Sequence, residues 1–188
     1  MLAPFLLRVS EGTIITQSMI DLSDLELLGV SCAALLAIYL LRVLWGRKPA
    51  LLPEPIAKNG IVVDGSNVMF WGGEPSEVVL VRVILAIIAK GYEPYVIFDA
   101  NVGYKLRATY LDDAQMARII GVPASRVVVV GSGVVADERI LAFAQESGLP
   151  VLSNDRYRDW KVQFPFIASK GRMIRGRWVQ GNVVWNSI

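Results

Sequence analysis

The chain has 188 residues, a formal net charge of +2 and 54% hydrophobic residues, which is room for one ordinary domain plus an apolar appendage. Its single cysteine, Cys32, excludes an internal disulfide scaffold and permits a reducing compartment. Histidine is absent, which excludes Ser-His-Asp and Cys-His catalysis, histidine acid–base chemistry and imidazole-ligated zinc, so hydrolytic chemistry would have to rest on carboxylates, a metal or a lysine.

The fifteen residues Leu27 to Leu41 carry no charge, and with Arg42 snorkelling the apolar stretch reaches Trp45. That length matches a hydrocarbon core of about 30 Å, so a single transmembrane helix is expected over residues 25–45, behind an extracytoplasmic segment, 1–24. Asp21, Asp24 and Glu26 precede the stretch while Arg42, Arg47 and Lys48 follow it, which puts the C-terminal portion in the cytoplasm. A cleavable signal peptide would begin with a short basic region, and here some two dozen mostly uncharged or acidic residues come first. A buried core helix would show a polar face, which this stretch lacks. Prolines 49, 53 and 55 make residues 46–58 a short stiff linker, and the folded domain is expected over 59–188.

Within that domain Ile61–Val63 is a buried strand ending at Asp64, with Gly65, Ser66 and Asn67 as its loop. Glu77 to Lys90 has helix length and stops at Gly91. Tyr95–Phe98 is a strand ending in Asp99, Tyr104 to Ile120 a second helix, Val127–Val130 a third strand, Ala136 to Ser147 a third helix, and Pro150–Leu152 a fourth strand leading to Ser153-Asn154-Asp155. Strands this apolar alternating with helices predict an α/β fold in three layers, a central parallel sheet covered on both faces. Arg177–Val179 and Val183–Trp185 read as a small ribbon.

Ligands of such sheets bind beyond the carboxyl ends of the strands. Asp64, Asp99 and Asp155 follow strands and Asp137 opens a helix, so sequence-distant acids collect at one edge. Like charges raise one another's pKa, and a divalent cation relieves the repulsion. An all-oxygen ligand set favours Mg²⁺ or Mn²⁺, and the substrate such chemistry implies is a phosphodiester. If the chain turns helical after Asn154, Asp155 and Asp159 share one face, with Arg156 and Arg158 available to phosphate oxygens.

Each residue also has a plainer reading. Asp155 would be an N-cap and Asp159 a solvated helix residue. Asn67 either orients a water or the scissile phosphate, or only stabilises its turn. Ser66 and Ser153 are turn or cap residues whose hydroxyls would also reach phosphate. Asp99 joins the acidic cluster or caps its loop. Gly131-Ser132-Gly133 is a phosphate nest or, more simply, a strand-to-helix turn, and neither GxxxxGK[ST] nor GxGxxG is present. From Arg156 to Ile188 seven basic residues, Lys170 and Arg172 among them, face one acid, Asp159. That excess suits a phosphate-facing surface or a solvated tail. Trp178 would stack on an unpaired base if exposed and otherwise belongs to the core.

Three blocks in this order, Ile61-Val-Val-Asp-Gly-Ser-Asn-Val68, Ala136-Asp-Glu-Arg-Ile-Leu141 and Val151-Leu-Ser-Asn-Asp-Arg-Tyr-Arg-Asp159, resemble the NYN branch of the PIN-like nucleases. The match is to the regnase-like ribonuclease domain found beside a CCCH zinc finger in animal proteins that degrade messenger RNA. The resemblance implies a PIN-like Rossmannoid fold and Mg²⁺-dependent endonucleolytic cleavage of single-stranded or loop RNA. It also implies acidic roles for Asp64, Asp137, Asp155 and Asp159, a polar role for Asn67, substrate contacts from Arg156 or Arg158, and a homodimer. The chain lacks the zinc finger, its segment between Asp99 and Val127 is unlike theirs, and the membrane helix replaces their flanking domains. A bacterial, inner-membrane relative is implied.

Two other folds with strand-end acids fit poorly. A receiver domain wants an acidic pair after the first strand, and a haloacid-dehalogenase-like phosphatase wants Asp-x-Asp where this chain has Asp64-Gly-Ser66. The serious alternative is a membrane-anchored RNA-binding or assembly module that keeps the fold with little activity.

Overall fold

The computed structural model describes residues 34–39 and 56–187. The chain divides into two units, Met1–Pro49 and Ala50–Ile188. In the first, residues 34–39 are helical and exposed. The rest of the expected membrane span, the expected extracytoplasmic segment and most of the linker lie outside the described residues. Among the described residues no helix is long and apolar enough to cross a membrane.

The second unit is an α/β domain. Its strands are β1 (Gly60–Asp64), β2 (Glu93–Phe98), β3 (Val127–Val129), β4 (Val151–Leu152), β5 (Met173–Val179) and β6 (Asn182–Ser187). They form one six-stranded sheet in the order β3-β2-β1-β4-β5-β6. The first five run parallel, but β6 pairs antiparallel with β5. The expected strands do run parallel, and the sheet is mixed because the expected ribbon of Arg177–Val179 with Val183–Trp185 joins its edge as β5 and β6. The ribbon reverses at its turn: Gln180 and Gly181 have φ of 48° and 81°, the left-handed pair that closes a two-residue hairpin, and such a hairpin can only reverse the strand.

Five helices connect the strands: α1 (Gly65–Val68), α2 (Glu77–Ala89), α3 (Val102–Arg107), α4 (Asp113–Ile120) and α5 (Ala136–Ser147). Ser76 caps α2 by accepting from the Val79 N–H. The expected single helix from Tyr104 to Ile120 is instead two, because Ala108 turns left-handed at φ 55° and Asp112 opens a new helix with a capping box to Gln115.

The side-chain period of two sorts the sheet into two cores. Ile61, Val63, Val96 and Phe98 pack with Leu80, Val83, Ile84 and Ile87 of α2 and Met116 and Ile120 of α4. Val62, Tyr95, Ile97 and Val151 pack on the other face with Ile140, Leu141, Phe143 and Ala144 of α5. Each fully buried aliphatic side chain contributes about 1.5–3 kcal/mol.

This alternation also aims the site. Val63, Phe98 and Leu152 face α2 and α4, so the next residues, Asp64, Asp99 and Ser153, turn towards the α5 side, where Asp137 sits in the first turn of α5. Chain order reverses between β1 and β4, the switch point where α/β sheets open a crevice, and Val63 is registered against Leu152. Asp64 and Ser153 are therefore brought side by side.

Candidate active site

Asp64 is the buried centre, 5% exposed. Its Oδ1 accepts the Asn67 backbone N–H at 2.9 Å, which also caps α1. Its Oδ2 accepts two hydroxyls, Ser153 Oγ–H at 2.8 Å and Tyr157 Oη–H at 2.9 Å. Burial pushes its carboxyl from 3.8 up to about 6, opposed by those three donors and assisted by the negative charge of Asp137. Gly65 is required here by space, because a Cβ would lie 2.1 Å from the Phe98 ring.

Half-buried Asp137 is also raised, first by burial, then by repulsion from Asp155 and Asp99, while a hydrogen bond from the Trp160 side chain holds it back. The helix-start acid Asp137 therefore lies within electrostatic reach of the acids from all three strand ends. Asp99, which the sequence left between cluster and loop cap, belongs electrostatically to the group. Its backbone N–H donates to Ser66 Oγ at 2.8 Å, and Lys105 Nζ stands 3.9 Å from its Oδ2.

Asp155 is exposed and is held by its own loop. Its N–H donates to Ser153 Oγ at 3.0 Å, and its Oδ1 accepts the Tyr157 N–H at 2.6 Å. That second bond closes a side-chain-to-backbone turn and sends Tyr157 left-handed, at φ 45°. The expected helix from Asn154 is thus replaced by a turn, with only Arg158–Trp160 forming a 3₁₀ segment. Asp155 and Asp159 share no helix face. Asp159 is exposed on the 3₁₀ turn, and it is Trp160 of that turn that reaches Asp137.

Asn67 serves as a hub. Its Oδ1 accepts the Trp71 indole N–H at 3.0 Å and the Asn154 backbone N–H at 2.9 Å, tying the loop after β1 to the loop after β4. Asn154 in turn donates from Nδ2 to the Gly176 carbonyl at 2.8 Å, anchoring the same loop to β5. Ser66, by accepting from Asp99, is likewise a tie between loops.

The basic residues separate by end of the sheet. Arg156 and Arg158 are exposed in the Asp155 loop, and Arg175 donates from Nη2 to the Asp155 carbonyl at 3.4 Å. Lys170 and Arg172 precede β5, whose first residue is registered against the start of β4, so both lie at the opposite, amino-terminal edge. There Arg172 donates to the Gly148 and Ala144 carbonyls at 2.8 and 2.9 Å and lies 4.7 Å from the Phe166 ring centroid. Its expected substrate contact gives way to capping the C-terminus of α5. Trp178 and Trp185 are partly buried against the core, with Trp185 edge-on to Trp71 at 6.3 Å, so base stacking by Trp178 is replaced by packing.

No motif points to a role for Tyr157 or Trp160, and Arg175 is marked only as one of the seven basic residues between Arg156 and Ile188. The Tyr157 signal was a tyrosine two residues after an aspartate that can turn the chain; nothing local marked Trp160.

Among the described residues no three acidic side chains close on one point as a ready-made metal cage. The donor set nevertheless suits a hard cation. The oxygens repel one another, and Mg²⁺ is commonly held by one or two carboxylates with the remaining positions filled by water. Asp64, Asp137 and Asp155 are the residues that would hold it.

Comparison with curated proteins finds no sequence match. Among solved structures, nuclear proteinaceous RNase P 2 from A. thaliana is similar with a TM-score of 0.51 at 15% identity, over 66% of this chain and 29% of that one. A second structure of Arabidopsis thaliana nuclear protein-only RNase P 2 gives a TM-score of 0.47 at 16% identity, over 81% and 34%. The first likeness supports a PIN-like α/β fold, and the chain spans about a third or less of the length of these plant proteins. The profile of the Zc3h12a-like Ribonuclease NYN domain matches residues 57–186. Matched over most of its length, the chain belongs to the Zc3h12a-like ribonuclease NYN domain family.

Proposed function

We propose that the chain is a metal-dependent endoribonuclease acting on unpaired RNA, with Asp64, Asp137 and Asp155 holding Mg²⁺ or Mn²⁺ and Asp159 in an outer place. The observation that carries this reading is the buried Asp64, its carboxyl raised to about 6, beside an Asp137 that the negative charges of Asp155 and Asp99 raise in turn. Such an arrangement costs stability unless a cation compensates it. When bound, such an ion lowers the pKa of water and offsets charge developing on the phosphoryl group.

The chain's own residues prepare that chemistry. Ser153, Tyr157 and the Asn67 N–H favour ionised Asp64. Asn67 fixes the spacing of the two acidic loops through its carbonyl oxygen. Arg156 and Arg158, exposed beside Asp155, would neutralise flanking phosphates. Labelled single-stranded RNA incubated with the full chain should be cut internally in Mg²⁺ or Mn²⁺ and left intact with chelator.

That no closed carboxylate cage is found among the described residues favours a second reading, an RNA-binding module with little turnover. It predicts binding of the same RNA without metal-dependent cleavage.

The apolar run Leu27–Leu41, with acids before it and basic residues after it, supports a single-pass tether that keeps the domain on the cytoplasmic side of the inner membrane. Such a tether predicts that the full chain sediments with membranes and resists alkaline extraction, and that deleting residues 25–45 releases it.

A further inference from the structure

Resting on the metal-dependent reading above, we propose that Tyr157 is a positioning residue: its hydroxyl and its backbone N–H together set which oxygen of Asp64 and which oxygen of Asp155 face outward. The residue is 2% exposed and held at φ 45°, ψ 44°, a region that a side chain with a Cβ seldom occupies. A glycine would take this bend without strain but would have no hydroxyl to offer. What holds the tyrosine there is a pair of bonds to two different acids. Its N–H donates to Asp155 Oδ1 at 2.6 Å and its Oη–H to Asp64 Oδ2 at 2.9 Å.

Ser153 completes the clamp from the end of β4. Fully buried, it donates to the same Asp64 Oδ2 at 2.8 Å and accepts the Asp155 N–H at 3.0 Å. Asp64 Oδ2 is thereby committed to two hydroxyls and Oδ1 to one N–H. A carboxylate has about four acceptor sites, so the remaining one lies on Asp64 Oδ1. Asp155 Oδ1 gives one of its two sites to the Tyr157 N–H, which leaves Oδ2 as its freer oxygen. Two acids far apart in sequence thus each have a freer oxygen, Oδ1 of Asp64 and Oδ2 of Asp155, because Tyr157 bonds to both and Ser153 fills the second site on Asp64 Oδ2.

The test uses the full chain, with Tyr157→Phe, which keeps the ring and removes the hydroxyl, and Ser153→Ala, which adds no bulk. Titration calorimetry with Mn²⁺ alone should show both variants binding about tenfold more weakly, the scale of a lost bond to a metal-holding carboxylate. At saturating RNA, kcat should fall by a similar factor with the RNA KM unchanged. A merely structural tyrosine would lower the unfolding temperature and leave Mn²⁺ affinity alone. Mn²⁺ affinities within twofold of the unaltered chain in both variants overturn the proposal. Should Tyr157→Phe fail to fold, the Ser153→Ala result decides it. An unaltered chain that neither binds Mn²⁺ nor cleaves RNA overturns the metal-dependent reading itself, and this inference with it.

Discussion

The two ends of the central sheet use charge in opposite ways. At the amino-terminal edge Arg126 pairs with Glu93 and stands 5.6 Å from the Tyr95 ring centroid, while Arg172 is spent on the last carbonyls of α5. At the carboxyl-terminal edge the negative charges of Asp155 and Asp99 raise the carboxyl of Asp137, and burial keeps that of Asp64 near 6. The cations of the first edge are spent on pairing and capping, whereas at the second Lys105 pairs with Asp99 while Asp64 and Asp137 keep raised carboxyls with no cation paired to either among the described residues. Perturbed carboxylates beyond the carboxyl ends of parallel strands are candidates for function.

The contrast breaks most sharply at the carboxyl-terminal edge. Asp64→Asn and Asp155→Asn should each lower kcat for RNA cleavage by about a thousandfold, measured with labelled RNA in Mn²⁺. Asp159→Asn, outside the buried network, should lower it by only about tenfold.

The same Asp64→Asn change should stabilise the metal-free protein. Because burial raises the folded-state pKa of Asp64 from 3.8 to about 6, its contribution to stability is fully present below the lower value and is lost as pH rises through the upper one. A shift of that size is worth up to about 3 kcal/mol. Thermal unfolding without metal should therefore show Asp64→Asn melting above the unaltered chain at pH 8, with the gap closing by pH 4.

The amino-terminal edge should respond in the reverse sense. Arg172→Ala removes two capping bonds and a ring contact, at a cost of about 1–2 kcal/mol, and should leave kcat and KM for RNA unchanged in urea-unfolding and cleavage assays run side by side. Smaller still, Arg156→Ala or Arg158→Ala should raise the KM for RNA about threefold to tenfold with kcat preserved, and the effect should shrink in high salt.

Much of the domain could be read from residue pattern alone. The apolar runs of β1 to β4 and the helix Ala136–Ser147 stand where periodicity put them, because strand and helix periods are local properties. The gathering of Asp64, Asp99 and Asp137 at one edge followed from strand ends and a helix start. What escaped was set by contacts between loops. Asp155 captures the Tyr157 N–H, and no helical periodicity shows that competition. The ribbon of Arg177–Val179 with Val183–Trp185 was legible and forms across Gln180 and Gly181; its joining the edge of the parallel sheet was not. Lys170 and Arg172 belonged to a basic run whose place relative to the crevice depends on the β4 to β5 register, which charge counting cannot supply.

The central claim is that the acids at the carboxyl-terminal edge hold a divalent ion, and anomalous diffraction from crystals grown with Mn²⁺ addresses it most directly. A peak within coordination distance of Asp64 Oδ1 and a carboxylate oxygen of Asp137 or Asp155 is the predicted result. Mn²⁺ saturating the protein elsewhere, with no peak among these carboxylates, would contradict it.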